Sequence, residues 1–218
     1  RSARWTAWLG VRHSRIDRGY AQSFTSPSVA LSYAFLPDQL VYASWGRGVE
    51  SAVAPNLPIY TNAGAVLPAL QSRQIEIGLK GATPTMNWNI AAFDIQRPQT
   101  SDVGTCDATA AVPTCTRQQD GTAHHRGIDG DIATTIGPWS LQLGAQWLRA
   151  RREGSGDAAL NGLVPPNVAQ RALKAQAAYT LAAVPGLTLL AGAKAEGGRM
   201  VLPDDSARIP GYAVVDLG

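Results

Sequence analysis

The residues in this sequence that are best suited to chemistry are an adjacent histidine pair, His124 and His125, and carboxylates spaced two residues apart. Adjacent residues on a β-strand point to opposite faces of the sheet, so the two histidines cannot easily bind one metal ion. Asp129 and Asp131 share a strand face, but an acid–base pair also needs a pocket and a nucleophile, and the sequence supplies neither. We therefore predict no metal site and no catalytic carboxylate pair.

Motifs for nucleophilic catalysis and for phosphate binding are also missing. The sequence contains no G-x-S-x-G nucleophile elbow, and the Gly-x-Gly of WGRGVE lacks the strand-to-helix context of a phosphate loop. Glu76 and Lys80 share a strand face and are typical of charges that face water. We predict that the protein is not an enzyme and that it holds no cofactor.

The two cysteines, Cys106 and Cys115, lie nine positions apart in a segment rich in Thr, Ala, Asp and Pro. This spacing suits a small disulfide-closed loop and fits no zinc motif. A disulfide indicates an oxidising compartment, and the alternative is a pair of free thiols that are neighbours by chance.

The composition narrows the class of protein. Only 16% of the 218 residues are charged, below the roughly 25% of typical soluble domains, whereas the apolar fraction of 45% is ordinary. The net charge of +3 is scattered along the chain, so no segment resembles a basic tail and we predict no nucleic-acid partner.

Every apolar run is interrupted by a polar residue within about ten positions, which excludes a membrane-spanning helix. A closed β-barrel is the other structure that can cross a bilayer.

Alternation with a period of two supports that possibility. In residues 139–147, Trp139, Leu141, Leu143 and Trp147 alternate with Ser and Gln, and the aromatic residues stand at the two ends, as they do at membrane interfaces. The pattern predicts ten strands. They cover residues 4–12, 28–35, 39–46, 74–80, 86–97, 126–135, 139–147, 173–180, 187–197 and 212–218. A change of phase between Trp88/Ile90 and Phe93/Ile95 predicts a β-bulge within the fifth strand.

The connections between these strands alternate in length. Four tight turns, each containing a proline, cover residues 36–38, 82–85, 136–138 and 181–186. Five much longer connections cover residues 14–26, 47–70, 98–122, 150–168 and 198–209, with a loop tip at Asp120–Gly121. Short turns on one rim and long loops on the other are typical of an outer-membrane barrel.

Seven stretches, taken in order, share features with one known family. They are LVYASWGRGVE (40–50), LQSRQIEIGLKG (70–81), AAFDIQRP (91–98), DGTAHHRGIDGDIA (120–133), PPNVAQRALKAQAAYTL (165–181), VPGLTLLAGAKAEGGR (184–199) and LPDDSARIPGYAVVDLG (202–218). In this order and spacing they resemble the C-terminal half of TonB-dependent siderophore receptors of the ferrichrome and pyoverdine receptor type. In that family an H-R-G like that of Arg126 and Gly127 is structural.

The resemblance implies an all-β fold, namely an antiparallel up-and-down transmembrane β-barrel fragment of about ten strands from a barrel of 22 strands. It implies a place in the bacterial outer membrane, contact with its lipid and lipopolysaccharide, and TonB-energised uptake of ferric siderophores. Residues 1–218 are then part of the barrel domain, without the plug, the TonB box or the final strands. The TonB–ExbB–ExbD complex would act through the absent plug.

Ligand capture in such a receptor requires Arg and aromatic side chains near the extracellular rim, because ferric siderophores are often anionic and carry aromatic or hydroxamate faces. The residues that meet this description are Trp45, Arg47, Tyr60, Arg97 and Arg199. Each has an alternative role, because aromatic residues and arginines at this rim also anchor barrels in the bilayer and contact lipopolysaccharide.

Other functions remain open on the same residues. The barrel could serve haem, cobalamin or another metal chelate. A passive porin-like channel predicts shorter loops, and a soluble β-sandwich or lectin-like module predicts polar side chains in place of Trp139, Leu141, Leu143 and Trp147.

Overall fold

The computed structural model describes residues 4–17, 21–109, 112 and 114–218, and in these ranges the regular secondary structure is almost entirely β-strand. The strands are β1 Trp5–Asp17, β2 Ala21–Leu36, β3 Gln39–Glu50, β4 Leu70–Ala82, β5 Met86–Val103, β6 Thr116–Ile136, β7 Trp139–Glu153, β8 Arg171–Thr180, β9 Thr188–Glu196, β10 Arg199–Met200, β11 Arg208–Ile209 and β12 Tyr212–Leu217. One 3-10 turn, Ala158–Leu160, interrupts the loop between β7 and β8. Within the described ranges, no helix has the length and apolar character needed to cross a bilayer.

Ten of these strands form one antiparallel sheet in the order β1-β2-β3-β4-β5-β6-β7-β8-β9-β12. Each strand of this sheet pairs with the next strand of the sheet along the chain. The short strands β10 and β11 form a separate ribbon inside the long loop between β9 and β12. The prediction of an up-and-down, all-β architecture with ten strands is confirmed.

The pairing register keeps the apolar side chains on one face. Leu143 of β7 lies opposite Ile132 of β6 and Ala175 of β8, and the neighbouring Gln142 lies opposite Ala133 and Gln176 on the other face. A register shift of one residue would exchange the two faces, so the alternation itself specifies the pairing. We call the two sides the apolar face and the polar face.

Aromatic pairs mark the end of the apolar face near the short turns. The ring centroids of Trp139 and Tyr179 lie 4.7 Å apart, and those of Trp5 and Tyr33 lie 4.6 Å apart. From Trp139 to Trp147, eight residue steps of about 3.4 Å at a strand tilt of about 40° span roughly 20 Å along the membrane normal. This height approaches the apolar band of roughly 25 Å that outer-membrane barrels show.

At the rim that carries the long loops, the side chains on the polar face become buried. In β7 beyond Trp147, the side chains of Leu148, Ala150 and Arg152 point to the polar face and are almost completely buried, with 8%, 0% and 3% exposure. Loop residues such as Leu67 and Val164 are buried in the same region. The largest part of the packed core is therefore a layer of loops and strand ends at this rim, which we call the long-loop rim.

The predicted bulge within residues 86–97 is wrong. Pairing of β5 with β4 runs without a shift from Asn87 to Gln96, so Phe93 and Ile95 point to the polar face. The large apolar residues move from even to odd positions because the surroundings of the two faces change near the rim. Here Asp94 lies on the apolar face and accepts a 2.8 Å hydrogen bond from Arg126 Nε. The irregularity lies further along, between Pro98 and Thr100 of β5.

Four of the five long connections were predicted too long, whereas the last, predicted as residues 198–209, covers 197–211. β1 reaches Asp17 and β2 begins at Ala21, so most of the predicted loop 14–26 is paired strand, and residues 18–20 lie outside the described residues. Likewise, β5 continues to Val103 and β6 already begins at Thr116. Asp120–Gly121 therefore lies within β6 instead of at a loop tip. Beyond the membrane the apolar alternation ends, but backbone pairing continues because it still satisfies the peptide groups.

Substitution on the two faces of β7 provides a direct test of the assignment. Leu143→Arg places a charge at the centre of the apolar face and is expected to cost about 2 to 4 kcal/mol in a bilayer. Gln142→Arg, one residue away on the polar face, is the matched control and should be tolerated. The yield of protein folded into lipid vesicles measures both, and equal yields would contradict the assignment of the faces.

Candidate functional site

The loop between β3 and β4, residues 51–69, is attached to an arm formed by the ends of β5 and β6. Tyr60 makes a parallel bridge with Cys115, and Thr61 N–H donates to the Cys115 carbonyl at 2.7 Å. The Asn62 side chain donates to the Arg117 carbonyl at 2.7 Å and accepts from the Arg117 N–H at 3.1 Å. The loop is thereby held as an additional strand-like segment on the arm.

The side chain of Tyr60 belongs to this junction. Its hydroxyl donates to Asp102 Oδ2 at 2.9 Å, and Arg117 Nη2 donates to the same oxygen at 2.8 Å. The Arg117 guanidinium carbon also lies 5.8 Å from the centroid of the Tyr60 ring, within cation–π range. Hydrogen bonding to Asp102 raises the pKa of Arg117. Tyr60 is thus half-buried, and its hydroxyl is held by side chains of β5 and β6.

A disulfide closes the end of the arm. Cys106 and Cys115 are joined, with Cα atoms 4.6 Å apart, and the Cys115 side chain is completely buried. Closing a loop of about ten residues contributes about 2 to 3 kcal/mol in the chain-entropy model. The bond therefore keeps the arm ordered where the 51–69 loop attaches.

A largely buried carboxylate, that of Asp120, holds the next loop in place. Asp120 accepts hydrogen bonds from Ser101 Oγ and Ser155 Oγ, both at 2.5 Å, and from the Gly156 N–H at 2.7 Å. Arg152 Nη2 lies 3.9 Å from Asp120 Oδ2. Burial opposes ionisation, but these three hydrogen bonds and the charge of Arg152 together lower the pKa of Asp120.

Below this loop layer, the polar face of β1 to β4 holds a depression of about 430 Å³. Its floor is made of small residues, among them Ser28, Gly46 and Ser72, and Trp8 and Ile95 form its sides. At Gly48 a Cβ atom would lie 2.6 Å from Ser72 Oγ, so the glycine keeps the floor flat. The depression is a space on the polar face in which a solute or another part of the protein could lie.

The ion pair between Arg97 and Glu50 lies two residues further toward the rim than Ile95 and Gly48, which line the depression. Arg97 Nε donates to both carboxylate oxygens of Glu50, at 2.8 and 3.0 Å, and Nη2 donates a further bond at 2.5 Å. The side chains are 51% and 39% exposed, so the guanidinium remains accessible to a solute. Arg97 is therefore on the polar face, at the rim, where the sequence predicted a ligand contact.

Arg199 lies at the far end of the sheet, in the ribbon of β10 and β11. It pairs with Glu196, whose carboxylate also lies 2.6 Å from Lys194 Nζ. One carboxylate thus serves two cations, which leaves one formal positive charge in this group.

Trp45 and Arg47 lie on the other side of the sheet. Trp45 is opposite Val29 and Ile75 on the apolar face, and the Arg47 guanidinium carbon lies 5.7 Å from the Trp45 ring centroid. The alternation of Val41 and Ala43 with polar-face residues already indicates this orientation, because Trp45 continues their phase. The five predicted ligand residues therefore lie on both faces of the sheet, three of them in β3 and β5 and two in separate loops, and the structure does not bring them together.

The residues that organise the rim were not singled out from the sequence. Glu50, Asp102, Arg117, Asp120 and Arg152 make the ion pairs and hydrogen bonds described above. Their partners lie on other strands, so no local spacing identifies them. The histidines follow the prediction: His124 lies 3.4 Å from Glu153 on the apolar face, while His125 lies opposite Ile95 on the polar face. Among the described residues, no group of three or more His, Cys, Asp or Glu is placed to hold a metal ion.

Comparison with known proteins identifies a family and a set of similar folds. The family model described as TonB dependent receptor-like, beta-barrel matches residues 2–218. No curated protein matches the chain. Similar solved structures include BauA, the ferric preacinetobactin receptor of Acinetobacter baumannii, with 24% identity and a TM-score of 0.76, covering 98% of this chain and 33% of that one.

Two further structures have the same fold. The siderophore receptor PiuA of Acinetobacter baumannii has 17% identity and a TM-score of 0.75, covering 98% of this chain and 34% of its own. FpvA of P. aeruginosa, solved bound to heterologous pyoverdines, has 20% identity and a TM-score of 0.71, covering 99% of this chain and 30% of its own. The chain thus spans about a third of the length of these proteins.

The hydrogen-bonded carboxylate of Asp120 makes the loop layer sensitive to acid. Because its pKa is lowered in the folded protein, its contribution to stability is complete above the ordinary Asp range and is lost as the pH falls below about 4 through the lowered value. Asp120→Asn should loosen residues 154–162 already at neutral pH, at a cost of about 1 to 3 kcal/mol.

Hydrogen exchange of the amides in residues 154–162 measures this loosening. Asp38→Asn, in the exposed turn between β2 and β3, is the matched control and should leave their protection unchanged. Wild-type protection of these amides in the Asp120→Asn protein would contradict the role given to the carboxylate.

Proposed function

This chain belongs to the TonB-dependent receptor β-barrel family, and on that premise we propose that it is part of a receptor that takes up a ferric siderophore with energy from TonB. Proteins of this family lie in the outer membrane of Gram-negative bacteria, and so does this chain. Two of the similar structures are described as the ferric preacinetobactin receptor and a siderophore receptor, and the third was solved bound to pyoverdines, which supports the choice of substrate class.

The sheet described here would be one part of a larger barrel. In lipid every backbone group needs a partner, and β1 and β12 each pair on one side only among the described strands. We propose that further strands of a barrel of about 22 complete both edges, and that a plug domain fills the lumen and contacts TonB–ExbB–ExbD. Residues 1–218 then form about ten strands of the barrel domain, and its short turns face the periplasm.

The observation that best supports this function is the combination of an ordered loop layer and an open depression at the long-loop rim. Loops held by the Tyr60–Asp102–Arg117 junction, the disulfide and Asp120 form an ordered layer, and the open depression of about 430 Å³ lies on the polar face below it. An extracellular layer above a polar lumen wall is suited to capturing a solute from outside and passing it inward. A porin needs the polar wall but not the layer.

Within this surface we propose different roles for the five predicted residues. Arg97 lies two residues beyond Ile95, which lines the depression, and Arg199 lies in a group with one excess positive charge, so both are placed to attract an anionic ferric chelate. Tyr60 would offer its ring to an aromatic siderophore. Trp45 and Arg47, on the apolar face, would anchor the barrel at the membrane interface.

Uptake of labelled iron tests the proposed function. A strain that lacks the gene for the whole protein should lose uptake of ⁵⁵Fe from one siderophore of a panel of catecholates, hydroxamates and mixed chelators, and the plasmid-borne gene should restore it. Uptake in the restored strain should disappear when TonB is deleted. TonB-independent uptake would instead favour a porin-like channel, and binding of haem or cobalamin in place of ferric siderophores would favour the other receptor class.

The Arg97–Glu50 pair allows a test with effects of opposite sign. Arg97→Gln removes a charge-assisted hydrogen bond to the ligand and should weaken binding of an anionic ferric siderophore about tenfold, or about 1.4 kcal/mol. Glu50→Gln removes the competing carboxylate and should strengthen binding. Fluorescence-quenching titrations of the whole receptor provide both affinities, and a similar loss in the two variants would indicate a purely structural pair.

A further inference from the structure

A buried arginine on the polar face of β7 has too few hydrogen-bond partners. Arg152 is 3% exposed, and its Nε atom is buried with no acceptor among the described residues. Its ion-pair partner is Asp120, whose Oδ2 lies 3.9 Å from Arg152 Nη2, beyond hydrogen-bond distance. The oxygens of Asp120 already accept bonds from two hydroxyls and one backbone N–H. A guanidinium buried in this position requires a further acceptor.

A second unpartnered nitrogen lies diagonally across the same face. His125 of β6 is opposite Ala150, and Ala123 is opposite Arg152, so His125 and Arg152 stand at diagonal corners of a square whose other two corners are alanines. Cα atoms in this relation lie about 7 to 8 Å apart. His125 Nδ1 is also buried with no partner among the described residues, and both alanines are 0% exposed. The two nitrogens therefore lie beside small side chains in a part of the rim that is shielded from bulk water.

Two ion pairs supply the charges around His125 on the polar face. They are Arg97–Glu50, from β5 and β3, and Arg152–Asp120, from β7 and β6. Each pair cancels formally, so the surroundings of a neutral His125 carry no net charge. Burial, the positive charge of Arg97 and, from the opposite face, that of His124 lower the pKa of His125. At neutral pH the imidazole is therefore uncharged.

The hydrogen-bonding groups at this square favour an anion over a water molecule. Arginine has only N–H donors, and protonation of an imidazole converts its one acceptor nitrogen into a donor. A water molecule would need acceptors for its own two protons, but the oxygens of Asp120 and Glu50 already accept other bonds. An anion has no protons to place, and a proton on His125 balances its charge.

We propose that His125 and Arg152 bind one small monovalent anion of the chloride class beside Ala123 and Ala150, and that the anion binds together with a proton on His125. Coupling of this kind is reciprocal, so the anion raises the pKa of His125 and acid strengthens binding of the anion. The bound ion connects β6 to β7 next to the loop that Asp120 holds. This site is separate from the proposed transport function and does not depend on it.

Bromide, which replaces chloride and scatters X-rays anomalously, is the probe. It is titrated into the purified whole receptor in gluconate at constant ionic strength, at about pH 5 and at about pH 8, on either side of the ordinary His pKa. Asp120 stays ionised at the lower pH because its own pKa is lowered. Slower hydrogen exchange of the amides in residues 148–152 reports binding. The wild type should need at least about tenfold less bromide at the lower pH.

Three variants separate the proton from the anion. His125→Gln cannot be protonated, so it should bind bromide weakly and equally at both pH values, and Arg152→Gln should also bind weakly at both. His124→Gln makes the same change on the apolar face and is the matched control, with the pH dependence of the wild type. Circular dichroism verifies folding. If Arg152→Gln does not fold, His125→Gln still decides the question.

Diffraction from bromide-soaked crystals at about pH 5 should place an anomalous peak within hydrogen-bond distance of His125 Nδ1 and Arg152 Nε. Three results would overturn the proposal: equal bromide affinity of the wild type at the two pH values, an unchanged pH dependence in His125→Gln, or an ordered water without bromide at this position. The measurements use no iron chelate, so any of these results leaves the proposed transport function standing.

Discussion

Saturation of backbone hydrogen bonds between adjacent strands is the requirement on which the rest of this structure depends. In a bilayer no water is present to replace a missing strand partner, so each strand must pair along its whole membrane length with both neighbours. Pairing of this kind imposes alternation, and alternation places Leu143 in lipid and Gln142 on the polar face. The hydrophobic pattern then fixes the pairing register, because a shift of one residue would turn every leucine from the apolar face to the polar face.

The same ladder continues into a second environment above the membrane. At Trp147 in β7 and between Ile90 and Phe93 in β5, the side of the sheet that is apolar becomes charged and the polar side becomes a packed core. The loops are held there by polar groups with definite partners, such as Asp120 and the Tyr60 hydroxyl. The loop layer is therefore an ordered surface, and exposed arginines lie on its outer side.

Much of the fold could be predicted from the sequence, because inside the membrane the environment of each side chain repeats every second residue. The ten strands follow from that period, and the four short turns follow from the prolines between them. The strand extensions could not be predicted, because Arg149, Arg151 and Glu153 interrupt the apolar series although the backbone ladder continues to Glu153. The candidate site was harder still. Its contacts join residues far apart in sequence, as Glu50 and Arg97 do, and spacing along one segment carries no information about them.

The orientation of the sheet in the membrane can be measured most directly by spin labelling. Nitroxides placed one at a time at residues 139–147 of the whole receptor in lipid vesicles report collision with oxygen, which concentrates in lipid, and with a water-soluble nickel chelate. The account predicts that oxygen contact peaks at the odd positions and nickel contact at the even ones, with a period of two. Odd positions shielded from both reagents, as in the core of a water-soluble sandwich, would contradict it.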